Sequence, residues 1–493
     1  MAATRKLLLL TSLLAACATS PDDMGGGDDD VDGKADGEGT GDPQIVFDRG
    51  KTLGHVDGFG TSIWTGDNAV EKVIKDLELD YVRMAVNPEW PRLAQQPPAD
   101  STRATLDAYV EANFNGDFAN REAGVKKTWA MATANNAKVV LVMFDPPSAW
   151  IRTDVIGQKV LDGPHLDDFA RLWGSVLEYL NKRGMRPHAV ELMNEPNIPT
   201  NAILSAGDYN ILIKIARQEF NQRGFTDVGI VGPGLNKMDY FGSGASYVNA
   251  LDQYGLGGIA AWSTHAWDAP TFDAEVGLGY LRERWANWSK SIQARGTAGQ
   301  KPVYLTEYGV VGTKFNGAAF TDPQTGGTAS SSNQYAVRLF ENTLLYILMG
   351  TNVPMIWQGA DQNWSTHTWG LLTSPATGSK ERPMLHAMKT LLPKIPDDAT
   401  ALQVTQKDSA LTTAAFIKDT TLVVAMANSK ASELARTIAL DGFTKLTMTS
   451  RQAFSNGQVI DSEPSYAVTG AGRHKIDVKL PKESTLTLVF EVE

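Results

Sequence analysis

Two glutamates stand where apolar runs stop. Residues 192–197 read LMNEPN, so Glu195 sits between Asn194 and Pro196, directly after the mostly apolar run Ala189–Met193. Residues 304–309 read YLTEYG, and Glu307 closes a second such run. A carboxylate at the end of a buried strand is poorly placed for packing. It is well placed for chemistry if a partner faces it. Such a pair can divide the work: a neutral carboxyl protonates a leaving oxygen, and an anion attacks the carbon that the oxygen leaves. Held about 5–5.5 Å apart, two carboxylates of this kind carry out retaining glycoside hydrolysis. The plainer alternative is two surface or helix-capping glutamates with no shared task.

The elements that would bring them together are legible. Eight strand-like runs follow one another: 55–64, 80–86, 137–144, 189–195, 227–234, 259–267, 301–309 and 353–360. Helical patterns lie between them, for example Leu166–Arg183 and Tyr209–Gln222. Strands alternating with helices predict a parallel sheet, and eight such units predict a closed (β/α)8 barrel, a TIM barrel of the α/β class. Glu195 ends the fourth strand and Glu307 the seventh, 112 residues further on. In a barrel of this type the reacting groups sit at the C-terminal ends of strands. The barrel is expected within 44–395. After Pro396 the runs TLVVAMA (421–427), KLTMTSR (445–451), HKIDVKL (474–480) and TLTLVFEVE (485–493) alternate, without a long helix. They predict a small antiparallel β-sandwich over 396–493. The run 44–52 could add a strand to it.

Asn194-Glu195-Pro196 after the fourth strand and Thr306-Glu307-Tyr308-Gly309 after the seventh resemble the signature of glycoside hydrolase clan A. The resemblance implies Glu195 as acid/base, Glu307 as nucleophile and Asn194 as a hydrogen-bond partner of the sugar 2-hydroxyl. It also implies that Arg83, in YVRMAV on the second strand, lies near the nucleophile. Its charge would keep Glu307 ionised. As a structural residue instead, Arg83 would need a buried acid beside it. His265 ends the sixth strand in STHAW. The clan often has His followed two residues later by Tyr; here Trp267 stands in place of that Tyr, so His265 or another residue must hold the nucleophile. A histidine satisfied within the core is the other reading.

Twelve tryptophans suit a sugar binder, because an indole face stacks on the C–H face of a pyranose. Trp357, at the eighth strand, matches the clan's platform under the reacting sugar. Trp64, Trp150 and Trp267, at strand ends or in the loops after them, are further substrate-binding candidates, and each could equally be core. GFGTSIW (58–64), DPPSAWI (145–151) and the trailing β-domain are similar to the glucosylceramidase- and endoxylanase-type family. WGLLTSP (369–375) and RPMLHAMK (382–389) also suit the cellulase-type family.

The chain's beginning has a different character. Arg5-Lys6, the run LLLLTSLL and then LAAC at 14–17 predict a signal segment over 1–17. The ending resembles a bacterial lipobox and implies cleavage before Cys17, the chain's one cysteine, with lipid on its sulfur. Ala18 after it favours an outer membrane or cell surface over the inner membrane. Residues 18–43 are Gly- and Asp-rich and read as a disordered tether. Asp28, Asp30, Asp32 and Gly33 match the opening of a calcium loop, but Gly39 stands where its closing Glu belongs.

Net charge is −11, and residues 21–43 hold nine acids against one lysine, so the body is mildly acidic. That argues against a nucleic-acid partner. Metal-ligand spacings and dinucleotide, Walker and nucleophile-elbow motifs are absent from the sequence, so the expected chemistry needs no metal or organic cofactor. The expected protein is a monomeric lipid-anchored glycosidase acting on a β-linked glycan. Two rivals stand beside it: a non-catalytic glycan-binding lipoprotein, and a transglycosylase using the same residues.

Overall fold

The computed structural model describes residues 43–63, 68–85, 96–115, 119–199, 201–236, 243–266, 274–310, 314–315, 318–319, 321, 326–363, 366–406, 410–462 and 467–493. Cys17, the signal and tether segments, Trp64 and Trp267 lie outside them.

The first strand, β1 (Ile45–Val56), belongs to the C-terminal sheet, and the barrel begins only at β2 (Gly60–Ser62). The predicted run 55–64 is therefore divided. The break falls at Gly58, whose φ of 138° suits glycine and whose missing side chain makes room for Asp80. The barrel continues through β3 (Tyr81–Ala85) and β4 (Lys138–Val142), and a hairpin of β5 (Ile151–Thr153) and β6 (Lys159–Leu161) follows. Then come β7 (Ala189–Glu191), β8 (Gly229–Leu235), β9 (Ala261–Ala266) and β10 (Val303–Tyr308). A short pair, β11 (Lys314–Phe315) and β12 (Ala318–Ala319), precedes β13 (Val353–Ile356). Strands β2, β3, β4, β7, β8, β9, β10 and β13 close on one another as a parallel barrel. All eight predicted runs contribute a strand.

Strand alternation stacks the barrel interior in layers. Tyr81, Val140, Ala189, Val231, Ala261, Tyr304, Val353 and Met355 pack together at the strand beginnings. Two residues further along three of these strands stand Arg83, Glu191 and Ser263. The layer above an apolar plug is thus polar, and it is where the candidate site starts.

The helix Leu166–Asn181 packs Leu166, Phe169, Leu172, Trp173, Val176, Leu177 and Leu180 inward, and Asp167 and Asp168 in its first turn complement the helix dipole. Ser205 caps the helix Ala206–Gln222, its hydroxyl accepting from the Asp208 N–H at 3.1 Å. The helix Asn333–Leu348 is buried nearly all round. Such a helix needs cover on both sides. The barrel supplies one side and the C-terminal sheet the other: Thr412 Oγ1 donates to Glu341 Oε1 at 2.9 Å, and Asn333 Nδ2 donates to the Glu483 carbonyl at 2.8 Å.

That sheet comprises β1, β14 (Ala399–Gln406), β15 (Thr412–Lys418), β16 (Thr421–Asn428), β17 (Leu434–Ser455), β18 (Gln458–Ser462), β19 (Ala467–Leu480) and β20 (Ser484–Val492). Its pairings are antiparallel except β1 with β17, which is parallel. Strand β17 pairs with β1 before Gly442, with β19 from Leu434 to Thr447 and with β20 from Leu446 to Ser455, and its register against β19 shifts at that glycine. The long strand so carries the sheet over on itself, and Phe47, Leu402, Val424, Leu440, Leu488 and Phe490 fill the space between. This is the β-sandwich-like domain beside the barrel.

Candidate active site

Arg83, on β3, is buried among acids. Its Nε and Nη2 donate to Oε2 of Glu191 at 3.0 and 2.6 Å. Its Nη1 donates to Oε1 of Glu307 at 2.6 Å, and Nη2 also reaches Oδ1 of Asn194 at 2.8 Å. Oε1 of Glu191 accepts from the hydroxyls of Ser263 and Thr306, both at 2.8 Å. Thr306 and Glu307 are neighbours on one strand, yet both face the barrel interior. A regular strand forbids that. The register of β10 against both β9 and β13 slips just after Leu305, and the irregularity turns the second side chain inward.

Glu195 follows β7 with φ 48°, a conformation costly for a residue with a side chain. Its N–H is fixed on the Gly234 carbonyl at 2.9 Å. Gly234 itself has φ 64°, and a Cβ there would lie 2.6 Å from Oε1 of Glu191. One glycine therefore clears room for one glutamate and pins the backbone of the other. Oε1 of Glu195 accepts from Asn236 Nδ2 at 2.6 Å and pairs with His265 Nδ1 at 2.9 Å, and Oε2 accepts from Asn201 Nδ2 at 3.3 Å. The same His265 nitrogen is 3.4 Å from Oε2 of Glu307. One imidazole nitrogen thus bridges the two carboxylates.

Burial shapes the charges. It pushes the Glu307 carboxyl above its ordinary value, because His265 and Arg83 offset only part of the lost hydration and Glu195 adds repulsion. Burial works the same way on Glu191, but Arg83, His265 and the hydrogen bonds outweigh it and hold that carboxyl low. For His265, burial opposes the cation, yet Glu307, Glu195 and Glu191 win and raise it.

His265 Nδ1 and one oxygen from each of Glu195 and Glu307 lie within 4.8 Å of one another. That is a donor set of metal-site size. A divalent ion there would meet the Arg83 cation 2.6 Å from Glu307, a like charge already in place.

The structure gathers Glu195, Glu307, Arg83, Asn194 and His265 from four strands into one cluster. Trp357, half-buried, reaches it indirectly: its ring lies 6.4 Å from that of Phe144, over which Arg83 sits at 5.9 Å. Trp150 is buried instead, stacked on His165 at 5.8 Å. Glu191, Asn201, Asn236, Ser263 and Phe144 join the site without having been singled out in the sequence, and Thr306, read there only as part of the Glu307 motif, joins them. For Glu191 a signal was present: a charge inside an apolar strand, four residues before Glu195, and the acid a buried Arg83 requires. For Asn201 and Asn236, both in loops, the sequence offered none.

No family model matches the chain, and no curated protein matches it. Solved structures do. The family 30 subfamily 8 xylanase of Clostridium acetobutylicum aligns with TM-score 0.65 at 14% identity, over 91% of this chain and 99% of its own. A family 30 xylanase C catalytic domain of Talaromyces cellulolyticus gives 0.63 at 16%, over 90% and 99%. An endo-β1,6-glucanase gives 0.64 at 12%, over 94% and 95%. All are clan A glycoside hydrolases. The resemblance that two short motifs carry thus extends, as a likeness of fold, over nine-tenths of the chain.

Proposed function

We propose that this protein hydrolyses β-linked glycosidic bonds with retention of configuration. One observation carries the reading: oxygens of Glu195 and Glu307 lie within 4.8 Å of each other across the barrel mouth, bridged by His265. Inverting enzymes keep their carboxyls about 6.5–9.5 Å apart to admit a water; the shorter spacing suits direct attack. Glu307 attacks the anomeric carbon and forms a glycosyl-enzyme. Glu195 protonates the departing oxygen, then takes a proton from the incoming water. Arg83 holds Glu307 and, through Asn194 Oδ1, turns the Asn194 amide so that its NH2 end is left for a substrate hydroxyl. His265 carries a proton toward both acids.

The fold neighbours at 11–16% identity support the glycosidase class and leave the sugar open. The test is release of reducing sugar from β-glucans, β-xylans, β-mannans and β-galactans, with the first-formed product anomer followed by NMR. A β anomer released by wild type and not by Glu307→Gln supports the reading; an α anomer sinks the retaining mechanism. Binding without release identifies a glycan-binding protein instead, and early chain-lengthened products a transglycosylase. We further propose that the chain acts as a monomer tethered through lipid on Cys17. Failure of labelled palmitate to enter the wild-type protein in cells that lipidate another lipoprotein, or equal labelling of Cys17→Ser, would overturn the tether.

A further inference from the structure

Glu191 is an expensive residue to keep. It is fully buried on β7, where an apolar side chain would fill the same space, and an anion there loses its hydration before its partners offset the loss. It has no route to substrate. Oε2 takes two N–H groups of Arg83, and Oε1 takes the hydroxyls of Ser263 and Thr306. Those four donors occupy both oxygens, so Glu191 is neither a spare acid nor a spare nucleophile. Its contacts act on Arg83 instead. With Nε and Nη2 fixed on one carboxylate oxygen, the guanidinium plane is set, and Nη1 has a single direction left, toward Glu307. The fork geometry of arginine makes this orientation specific.

The arrangement also divides a charge. One fixed cation serves two buried carboxylates. We propose that Glu191 is a positioning residue of the active site: it anchors Arg83 and shares its charge, so that Glu307 is aimed by the arginine without being fully neutralised by it. A nucleophile paired to an undivided guanidinium is a weaker base and a poorer nucleophile. The charged groups that act on Glu307 include Arg83 from β3, Glu195 from the loop after β7 and His265 from β9, and Glu191 of β7 reaches it through the Arg83 they share. Among these described groups Glu191 is the one whose charge can be removed without touching a residue of the proposed chemistry.

The proposal rests on the glycosidase reading for its kinetic part alone, so two measurements are made. The first is a 13C NMR titration of Glu307 in substrate-free protein labelled at glutamate, assigned with Glu307→Gln. The isosteric Glu191→Gln can keep its oxygen on Arg83 and turn its NH2 to the two hydroxyls, which can accept. Removing the anion favours ionised Glu307, so its midpoint should fall by about one pH unit. An unchanged or raised midpoint in folded protein overturns the charge sharing. The second is the pH profile of kcat/KM, whose acid limb should move to lower pH by the same amount, with kcat reduced about tenfold. A purely structural role would move neither limb. Glu191→Asp keeps the charge and shortens the reach: its Glu307 midpoint should match wild type while kcat falls. If Glu191→Gln does not fold, this variant decides, and a wild-type kcat overturns the anchoring. Should wild type cleave no glycan, the titration still tests the charge sharing, and the glycosidase reading falls by itself.

Discussion

Arg83 gives two of its N–H groups to Glu191 and one to Glu307. The larger share of its hydrogen bonding goes to the residue with no part in the proposed chemistry. An ammonium cannot reproduce that fork. Arg83→Lys should therefore fold but lose about 10²-fold in kcat/KM, with the loss mainly in kcat. Arg83→Met should do worse: it leaves Glu191 buried without its cation, at a cost of roughly 3–5 kcal/mol. Chemical denaturation of both variants checks this, and a Met variant as stable as the Lys variant would contradict the ion-pair account.

Glu307→Gln should remove activity by about 10⁴-fold, because the proposed covalent intermediate forms on that carboxylate. Glu195→Gln should lose about 10²–10⁴-fold on natural glycosides but far less on substrates whose leaving group needs no proton. The comparison to make is bond cleavage of an aryl glycoside with an acidic phenol against one with a basic alcohol. Equal losses on both would remove Glu195 from the acid role.

Activity should fail on the acid side earlier than an exposed glutamate would dictate. In the proposed mechanism Glu307 attacks as an anion, and burial raises its carboxyl above the ordinary value. The rate is then lost as pH falls through that raised value. A profile of kcat/KM with its acid limb below about 4, under the free glutamate value, would contradict the burial effect.

A second carboxyl predicts a pH effect on stability. Burial, with Asp397 beside it, pushes Asp80 up to about 7, while its Oδ2 accepts the Phe59 N–H at 2.8 Å. The folded state therefore holds a proton that the unfolded chain gives up near pH 4. This contribution is fully present below that value and is lost as pH rises through about 7. Asp80→Asn, which can keep the Phe59 contact and donate to Asp397, should flatten the slope and raise stability above pH 7 by on the order of 1–2 kcal/mol, discounted for partial exposure. Thermal melts at pH 5 and pH 8 measure it; equal slopes in both proteins would rule the effect out.

The barrel was legible because each of its parallel strands is covered on both faces and so reads as an apolar run. Glu195 and Glu307 were legible because they end such runs. Glu191 was not, since two carboxylates on one strand invite a choice, and its meaning comes from Arg83 on another. Asn201 and Asn236 reach Glu195 only because loops after different strands converge, and periodicity carries no record of that. The inward turn of both Thr306 and Glu307 depends on a slipped register, which the residues YLTEY do not announce. At β1 the sequence suggested a strand to 52; pairing with β14 carries it to Val56.

The pairing of β1 has a consequence for how the protein is made. Ile45–Phe47 lies between the Val404–Gln406 stretch of β14 and the Ile438–Leu440 stretch of β17, segments synthesised about 360 and about 390 residues later. While the ribosome is building the barrel, this first strand has no neighbours and presents bare backbone donors and acceptors. The sheet closes only when the last hundred residues emerge, and the two ends of the body are then fastened to each other. A stop codon between the barrel and β14 therefore yields more than a protein lacking a domain: its own leading strand is left as an open, adhesive edge. Quality control of this chain, in the cell or in an expression host, has a natural checkpoint at β17, whose arrival covers the second edge of β1.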